Sequence, residues 1–335
     1  MLMDRKSWLE QREMPLEELK EYYRALRKEA YENDDPIKGI EVRKKLHGLV
    51  KTIINIEKKL EGFSTEVLSD ESTKGPRPRV YAVTHVARFD IEAAVEAAKE
   101  DAFIMWGDPG ELYRSPERIF LEMIGMIFVD TDNKEDRHIS LETMVKTLKQ
   151  GGNIIIFPEG AWNITENEVV MKLFTGVIEG AIRGGADIVP VAVEKDQNNK
   201  YYVKVGKNID TSTMSLENKR EEADQLRDVM ATLKWGIWEH IEKEQGLGIR
   251  KDMPYDASDQ FLNSIMKDSD NGYTVEEINR TRYQDRTTTT PDDAFAHLLD
   301  INRNENNAFL FENMTDQDRA RLGRVLIKKR QNDIL

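Results

Sequence analysis

Apolar residues recur at helical intervals through the first 74 residues. From residue 75 to about 245 they fall instead in short continuous runs separated by helical stretches. Behind Pro15, with Glu17 and Glu18 in a favourable first turn, Leu16, Leu19, Tyr23 and Leu26 form one stripe. A second stripe over Ile37 to Leu60 gathers Val42, Leu46, Leu49, Val50, Ile53, Ile54, Ile56 and Leu60 into one half of a helical wheel. Lys44, Lys45, Lys51, Lys58 and Lys59 lie opposite that half or flank it. Together the two stripes predict an N-terminal helical hairpin. The lysine-flanked face fits two roles, a helix docked on a core with a solvated charged side, or a contact with an anionic membrane surface.

After Gly75-Pro76-Arg77-Pro78 the pattern alternates strand and helix, with strands expected at Arg79 to Val83, Ala102 to Trp106, Gly125 to Val129, Asn153 to Phe157, Ile188 to Val193 and Tyr201 to Val205. The unbroken apolar runs among them suit a sheet buried on both faces. Between Val193 and Val205 a turn rich in Asp196, Asn198 and Asn199 predicts an antiparallel hairpin. The fold class is therefore α/β, a mixed, largely parallel sheet flanked by helices. Pro190 inside its apolar run marks an edge or a bulge. A helix from Leu216 to Glu244, with Leu226, Met230, Leu233, Ile237 and Ile241 on one stripe, closes this part. Residues 246–335 read as a polar C-terminal extension. Loops are expected there at Asp268 to Gly272, Thr287 to Thr290 and Asn302 to Asn307, and short helices near Pro291 to Asp300 and Asp316 to Arg330. No role is assigned to it.

Composition narrows the function. A formal net charge of -13 argues against a general nucleic-acid binder, and the absence of cysteine removes disulfides, thiolate metal sites and cysteine nucleophiles together. A charged start without an apolar core segment predicts no signal peptide, and no run of about 18 apolar residues occurs. A cytoplasmic protein, peripheral on the inner face of a membrane if the basic helix contacts lipid, is the expectation.

Chemistry concentrates where strands end. His85 follows the run Val80 to Val83, and Asp90 opens the helical pattern of Ile91, Ala94, Val95 and Ala98. On one continuous helix two side chains five residues apart would diverge by about 140°, so the pair meets only if the chain turns between them. Asp90 has two readings, an orienting partner of His85 or a cap of the helix behind it. Asn153 to Phe157 runs into Pro158-Glu159-Gly160, which places a carboxylate at the carboxyl end of a strand, where open α/β sheets bind ligands. A strand-end turn with a solvated Glu159 is the alternative. Gly125 to Asp130 is a third strand ending in an acid.

Taken in order, His85 to Asp90, Gly125 to Asp130, Phe157 to Gly160 and Ile188 to Val193 resemble the four blocks of the glycerophospholipid acyltransferase family, over roughly residues 75 to 210. The resemblance implies a glycerolphosphate acyltransferase-like fold, with an acyltransferase domain at 75–245 behind the N-terminal segment 1–74. It also implies a 1-acylglycerol-3-phosphate acyltransferase-like reaction of phospholipid biosynthesis, from an acyl carrier protein or coenzyme A thioester to a glycerophosphate or lysophospholipid hydroxyl, with no cofactor and no metal. His85 would be the base and Asp90 its partner, Glu159 would hold the acceptor, and amides around Gly160 would face an anion. Departures cluster at the cations. Thr131 stands where the family has Arg, Ala161-Trp162-Asn163 stands in place of Thr-Arg-Ser, and Thr84 and Ala87 replace the usual Asn and Ser. Arg114 and Arg137 are the first candidates to replace the missing phosphate contacts, ahead of Arg88, Lys134 and Lys172. Otherwise the acceptor is another hydroxyl, as on a glycan or glycolipid, or the chain is a non-catalytic lipid-binding relative.

Overall fold

Arg79–Val83 is buried at every position and forms β2, the middle strand of a seven-stranded sheet. The computed structural model describes residues 5–33, 40–107, 110–114, 121, 125–163, 169–196 and 198–245. The features expected in 246–335 lie outside the described residues. Along the chain the other strands are β1 Ser64–Asp70, β3 Phe103–Gly107, β4 Met126–Val129, β5 Ile154–Ile156, β6 Asp187–Lys195 and β7 Lys200–Val205. Their order is β1-β7-β6-β2-β5-β3-β4, and every ladder is parallel except that between β6 and β7. That hairpin turns on Asp196, whose Oδ1 accepts from the amides of Asn198 and Lys200, with Asn199 left-handed at φ 59°.

Side chains alternate between two cores because strand residues alternate faces. Tyr81, Val83, Ile104, Ile155, Val189 and Val191 meet α4 (Asp90–Ala98) through Ala93, Ala94 and Ala97. Val80, Ala82, Phe103, Ile154 and Ile188 meet the opposite layer. That layer comprises α5 (Lys134–Lys149), α6 (Gly176–Gly184) and α7 (Lys219–Gln245). The connection β2–α4–β3 runs towards one edge of the sheet, and β4–α5–β5 and β5–α6–β6 run towards the other. Right-handed crossovers then put α4 on one face and α5 and α6 on the other. Direction reverses between β2 and β5, so their carboxyl ends form the topological switch point at which open α/β sheets bind ligands.

Three features differ from the sequence reading. β1 occupies residues expected to be helical and polar; it is a half-buried edge strand whose Ser-Thr-Glu-Val-Leu-Ser-Asp sequence lacks clean alternation. Pro190 lies in an interior strand, without a bulge. The β6–β7 ladder begins only at Val191↔Val205, and the Pro190 carbonyl accepts from Gly206 just beyond it, so the absent proline N–H forfeits no ladder bond. The third difference is how the N-terminal stripes are used. Helix α2 (Leu16–Glu32), preceded by the short α1 (Trp8–Glu13), buries Leu19, Tyr22 and Tyr23 with Tyr113 of the 3-10 turn Gly110–Arg114. Helix α3 (Ile40–Glu61) buries Ile54 and packs Val50 in the α4-side core. The residues expected to join the two as a hairpin, 34–39, lie outside the described residues. Leu49, Ile56 and Leu60 of the same α3 stripe are 48%, 53% and 80% exposed, so this apolar face is wider than the core it packs on.

Candidate active site

His85 sits two residues beyond the end of β2, at this switch point. Its Nδ1 is 2.8 Å from Asp90 Oδ2, and the same oxygen accepts from the amides of Val86 at 2.7 Å and Ala87 at 3.1 Å. The cap of α4 is Phe89, with no side-chain cap bond, while the buried carboxylate of Asp90 folds back over the turn and holds the imidazole. Among the described residues its Oδ1 has no hydrogen-bond partner. With Nδ1 committed to Asp90, Nε2 is the ring nitrogen left for a substrate.

The third block frames the histidine. Glu159 is fully buried, and its Oε1 accepts from the His85 amide at 3.0 Å while Oε2 accepts from the Met171 amide at 2.7 Å. The Asn163 amide donates to the His85 carbonyl at 2.7 Å, so the backbone of His85 is held on both sides. Burial pushes the Glu159 carboxyl up, against the charge of Lys234 and the two amide donors. The imidazole lies against the Phe157 ring at 4.6 Å, with the Trp162 ring edge-on at 5.9 Å. Thr84, in the place of the family's Asn, exchanges bonds with the main chain of Val193 through its hydroxyl at 2.8 and 3.0 Å, which ties the end of β2 to the fourth block.

The other candidates are placed as follows. Gly160 has φ 70°, a conformation that favours glycine, and its amide donates to the Phe157 carbonyl, which closes the turn. A Cβ there would lie 2.5 Å from the Phe174 ring. Arg114 Nη2 donates to the Met14 carbonyl at 2.7 Å, and Arg137, exposed, donates to the Thr131 carbonyl. Sequence reasoning missed two cations of the N-terminal segment. Arg24 pairs with Asp130 of the second block, and Arg27 makes a two-pronged contact with Asp136 at 2.8 and 2.9 Å. Their spacing of three residues on one face of α2 was the available signal. Among the described residues no group of three or more His, Asp or Glu side chains is arranged to hold a metal ion. Nor, among them, is any helix long and apolar enough to cross a membrane.

The profile of the Acyltransferase family matches residues 65–194. No curated protein matches the chain. Among solved structures, the crystal structure of the 1-acyl-sn-glycerophosphate (LPA) acyltransferase PlsC from Thermotoga maritima aligns with a TM-score of 0.46 at 17% identity, over 59% of this chain and 80% of that one. The matched stretch, residues 65–194, contains the four blocks in order and is similar to the Acyltransferase family.

Proposed function

We propose that the chain transfers a fatty acyl group from a coenzyme A or acyl-carrier-protein thioester to a hydroxyl of a glycerophosphate or lysophospholipid. The observation that carries this reading is the 2.8 Å contact between His85 Nδ1 and Asp90 Oδ2 at the carboxyl end of the sheet, which leaves Nε2 for a substrate. The acceptor hydroxyl gives its proton to Nε2 as its oxygen attacks the thioester carbonyl, and Asp90 stabilises the imidazolium. Collapse of the tetrahedral intermediate breaks the carbon–sulfur bond, and the imidazolium returns the proton to the departing thiolate. No covalent enzyme intermediate is needed. Arg137, exposed on the first turn of α5, and Arg114 are the cations proposed for an acceptor phosphate.

Lipid substrates call for a lipid surface, and α3 offers one. Leu49, Ile56 and Leu60 fall within an arc of about 40° on the side away from Ile54, and the exposed Lys45 and Lys59 border one side of it. We place that face at an anionic membrane. One observation favours a second acceptor class: Trp162, where the family carries Arg, stands edge-on to the catalytic imidazole and offers an apolar wall that suits a neutral hydroxyl, as on a glycolipid.

Purified full-length chain incubated with labelled acyl thioesters and a panel of lysophospholipids, glycolipids and sugars tests both. Transfer to lysophosphatidic acid above the neutral acceptors supports the first reading, and the reverse order supports the second. His85→Ala should lower turnover by roughly 10²- to 10⁴-fold with the fold intact. Wild-type turnover in a folded His85→Ala chain would sink the mechanism.

A further inference from the structure

The parallel ladder between β2 and β6 stops at Val83↔Val191, and its last main-chain bond runs from the Thr84 amide to the Val191 carbonyl at 3.1 Å. Two further bonds would follow if the strands stayed in register. The Val193 amide would reach the Thr84 carbonyl, and the Val86 amide would reach the Val193 carbonyl. The Thr84 hydroxyl takes both places instead, accepting from the Val193 amide at 2.8 Å and donating to the Val193 carbonyl at 3.0 Å. Thr84 and Val193 are both fully buried, so these main-chain groups depend on the hydroxyl for their partners.

What the hydroxyl takes over, the turn gains. The Val86 amide, relieved of the ladder, donates to Asp90 Oδ2 at 2.7 Å beside the Ala87 amide at 3.1 Å. This oxygen is the one that lies 2.8 Å from His85 Nδ1. The next residue back is held by other partners: the His85 amide donates to the Glu159 carboxylate, and the His85 carbonyl accepts from the Asn163 amide. Threonine suits position 84 because a hydroxyl donates and accepts at once, and the β-branch stiffens χ1 so that one rotamer serves both bonds. Valine has the same shape and neither capacity, while serine keeps the hydroxyl and loses only the branch.

We propose that Thr84 is a positioning residue for the transfer site: its hydroxyl completes the β2–β6 ladder in place of the Thr84 carbonyl and the Val86 amide, and so frees that amide to hold the Asp90 carboxylate against the His85 imidazole. Without the hydroxyl the buried Val193 carbonyl has no donor, and the donor that the register brings to it is the Val86 amide. Asp90 Oδ2 then loses one of its two amide donors, and the imidazole loses its fixed orientation. The effect on turnover rests on the reading of His85 as the base; the placement of Asp90 does not.

The test uses the full chain as wild type, Thr84→Val, Thr84→Ser, Asp90→Asn and the variant carrying both Thr84→Val and Asp90→Asn. Steady-state kinetics are combined with proton–nitrogen NMR of the Val86 amide and the His85 ring. Thr84→Val should lower kcat by about 10- to 100-fold with KM for both substrates within about twofold of wild type, and Thr84→Ser should keep kcat within about threefold. In the Asp90→Asn background Thr84→Val should cost no more than about twofold, because the hydroxyl acts through that carboxylate. The Nδ1–H resonance of His85 should lose its downfield position in Thr84→Val and keep it in Thr84→Ser. Wild-type kcat in a folded Thr84→Val chain, or equal losses in both backgrounds, overturns the proposal. Should Thr84→Val fail to fold, the Val86 amide resonance of wild type against Asp90→Asn decides: an upfield move on loss of the carboxylate charge supports the proposal, and an unmoved resonance overturns it. If wild type transfers no acyl group, the reading of the reaction fails, while the two resonances in Thr84→Val still decide the placement of Asp90.

Discussion

Replacing Glu159 by Gln separates two roles for the third block. As a residue that holds the acceptor, Glu159 should affect binding of that substrate and little else. As a buried bridge, it should affect the fold and the histidine. Each of its two bonds, 3.0 Å to the His85 amide and 2.7 Å to the Met171 amide, joins a charged group to a backbone donor and is worth about 1.5–3 kcal/mol. Gln keeps one acceptor oxygen and sets an NH₂ against the other amide, so one bond is lost and a buried donor is stranded at a further cost of about 1–3 kcal/mol. Removing a buried charge offsets part of this, and the net expectation is a loss of about 3 kcal/mol. For a folded region of this size that lowers Tm by roughly 6–12 °C. Turnover should fall together with stability, because the His85 amide loses its anchor, while KM for the acceptor stays within about twofold of wild type. Thermal unfolding followed by circular dichroism, with steady-state kinetics on the same preparation, reads both. A Tm within a degree of wild type combined with a large rise in acceptor KM would refute the bridge and restore the substrate contact.

Asp90→Asn should lower kcat by about 10²-fold or more, since Asn leaves the imidazolium without its counter-charge, whereas a mere helix cap would tolerate Asn without loss of rate. Glu92, with Oε2 enclosed and Glu57 and Asp90 nearby, has its carboxyl pushed up to about 8, chiefly by burial. The stability this group contributes is complete below its unfolded value and is lost as pH rises to about 8, so Glu92→Gln should flatten the fall in urea midpoint between about pH 5 and 8. Exchanging the exposed Lys45 and Lys59 together for Gln should weaken binding to anionic vesicles by roughly 30-fold at low salt, at about 1 kcal/mol for each lysine, and unchanged cosedimentation would return α3 to a purely structural role.

The strands that carry the site were legible because each is an unbroken apolar run ended by a turn residue, and β2, β5 and β6 fall where Val80, Ile154 and Ile188 place them. The His85–Asp90 contact was legible for the same reason: strand period stops at Val83 and helical period starts at Asp90, and only a turn reconciles them. What a local pattern cannot carry is direction across the fold. Glu159 reads as a strand-end acid whether its carboxylate meets a substrate or two amides, and only the path of residues 169–173 decides it. Arg24 and Arg27 read as the solvated side of an amphipathic helix until α2 lies beside α5, where they meet Asp130 and Asp136. The α3 stripe divides between core and solvent because only Ile54, Val50 and their neighbours find a strand or helix to cover, which no helical wheel reveals.

The order of strands also bears on when the candidate site can assemble in a newly made chain. β2 and β3 follow one another in sequence but are separated in the sheet by β5, a strand made some fifty residues after β3. The slot between them must stay open, or reopen, until β5 arrives, because a direct β2–β3 pairing would close the place where β5 belongs. The histidine and its aspartate, five residues apart, meet within the β2–α4 turn. The anchor on the His85 amide lies 74 residues downstream and reaches it only once β5 has slid into place. On refolding, recovery of the proposed activity is therefore expected to trail recovery of helix and to follow the pairing of a single three-residue strand.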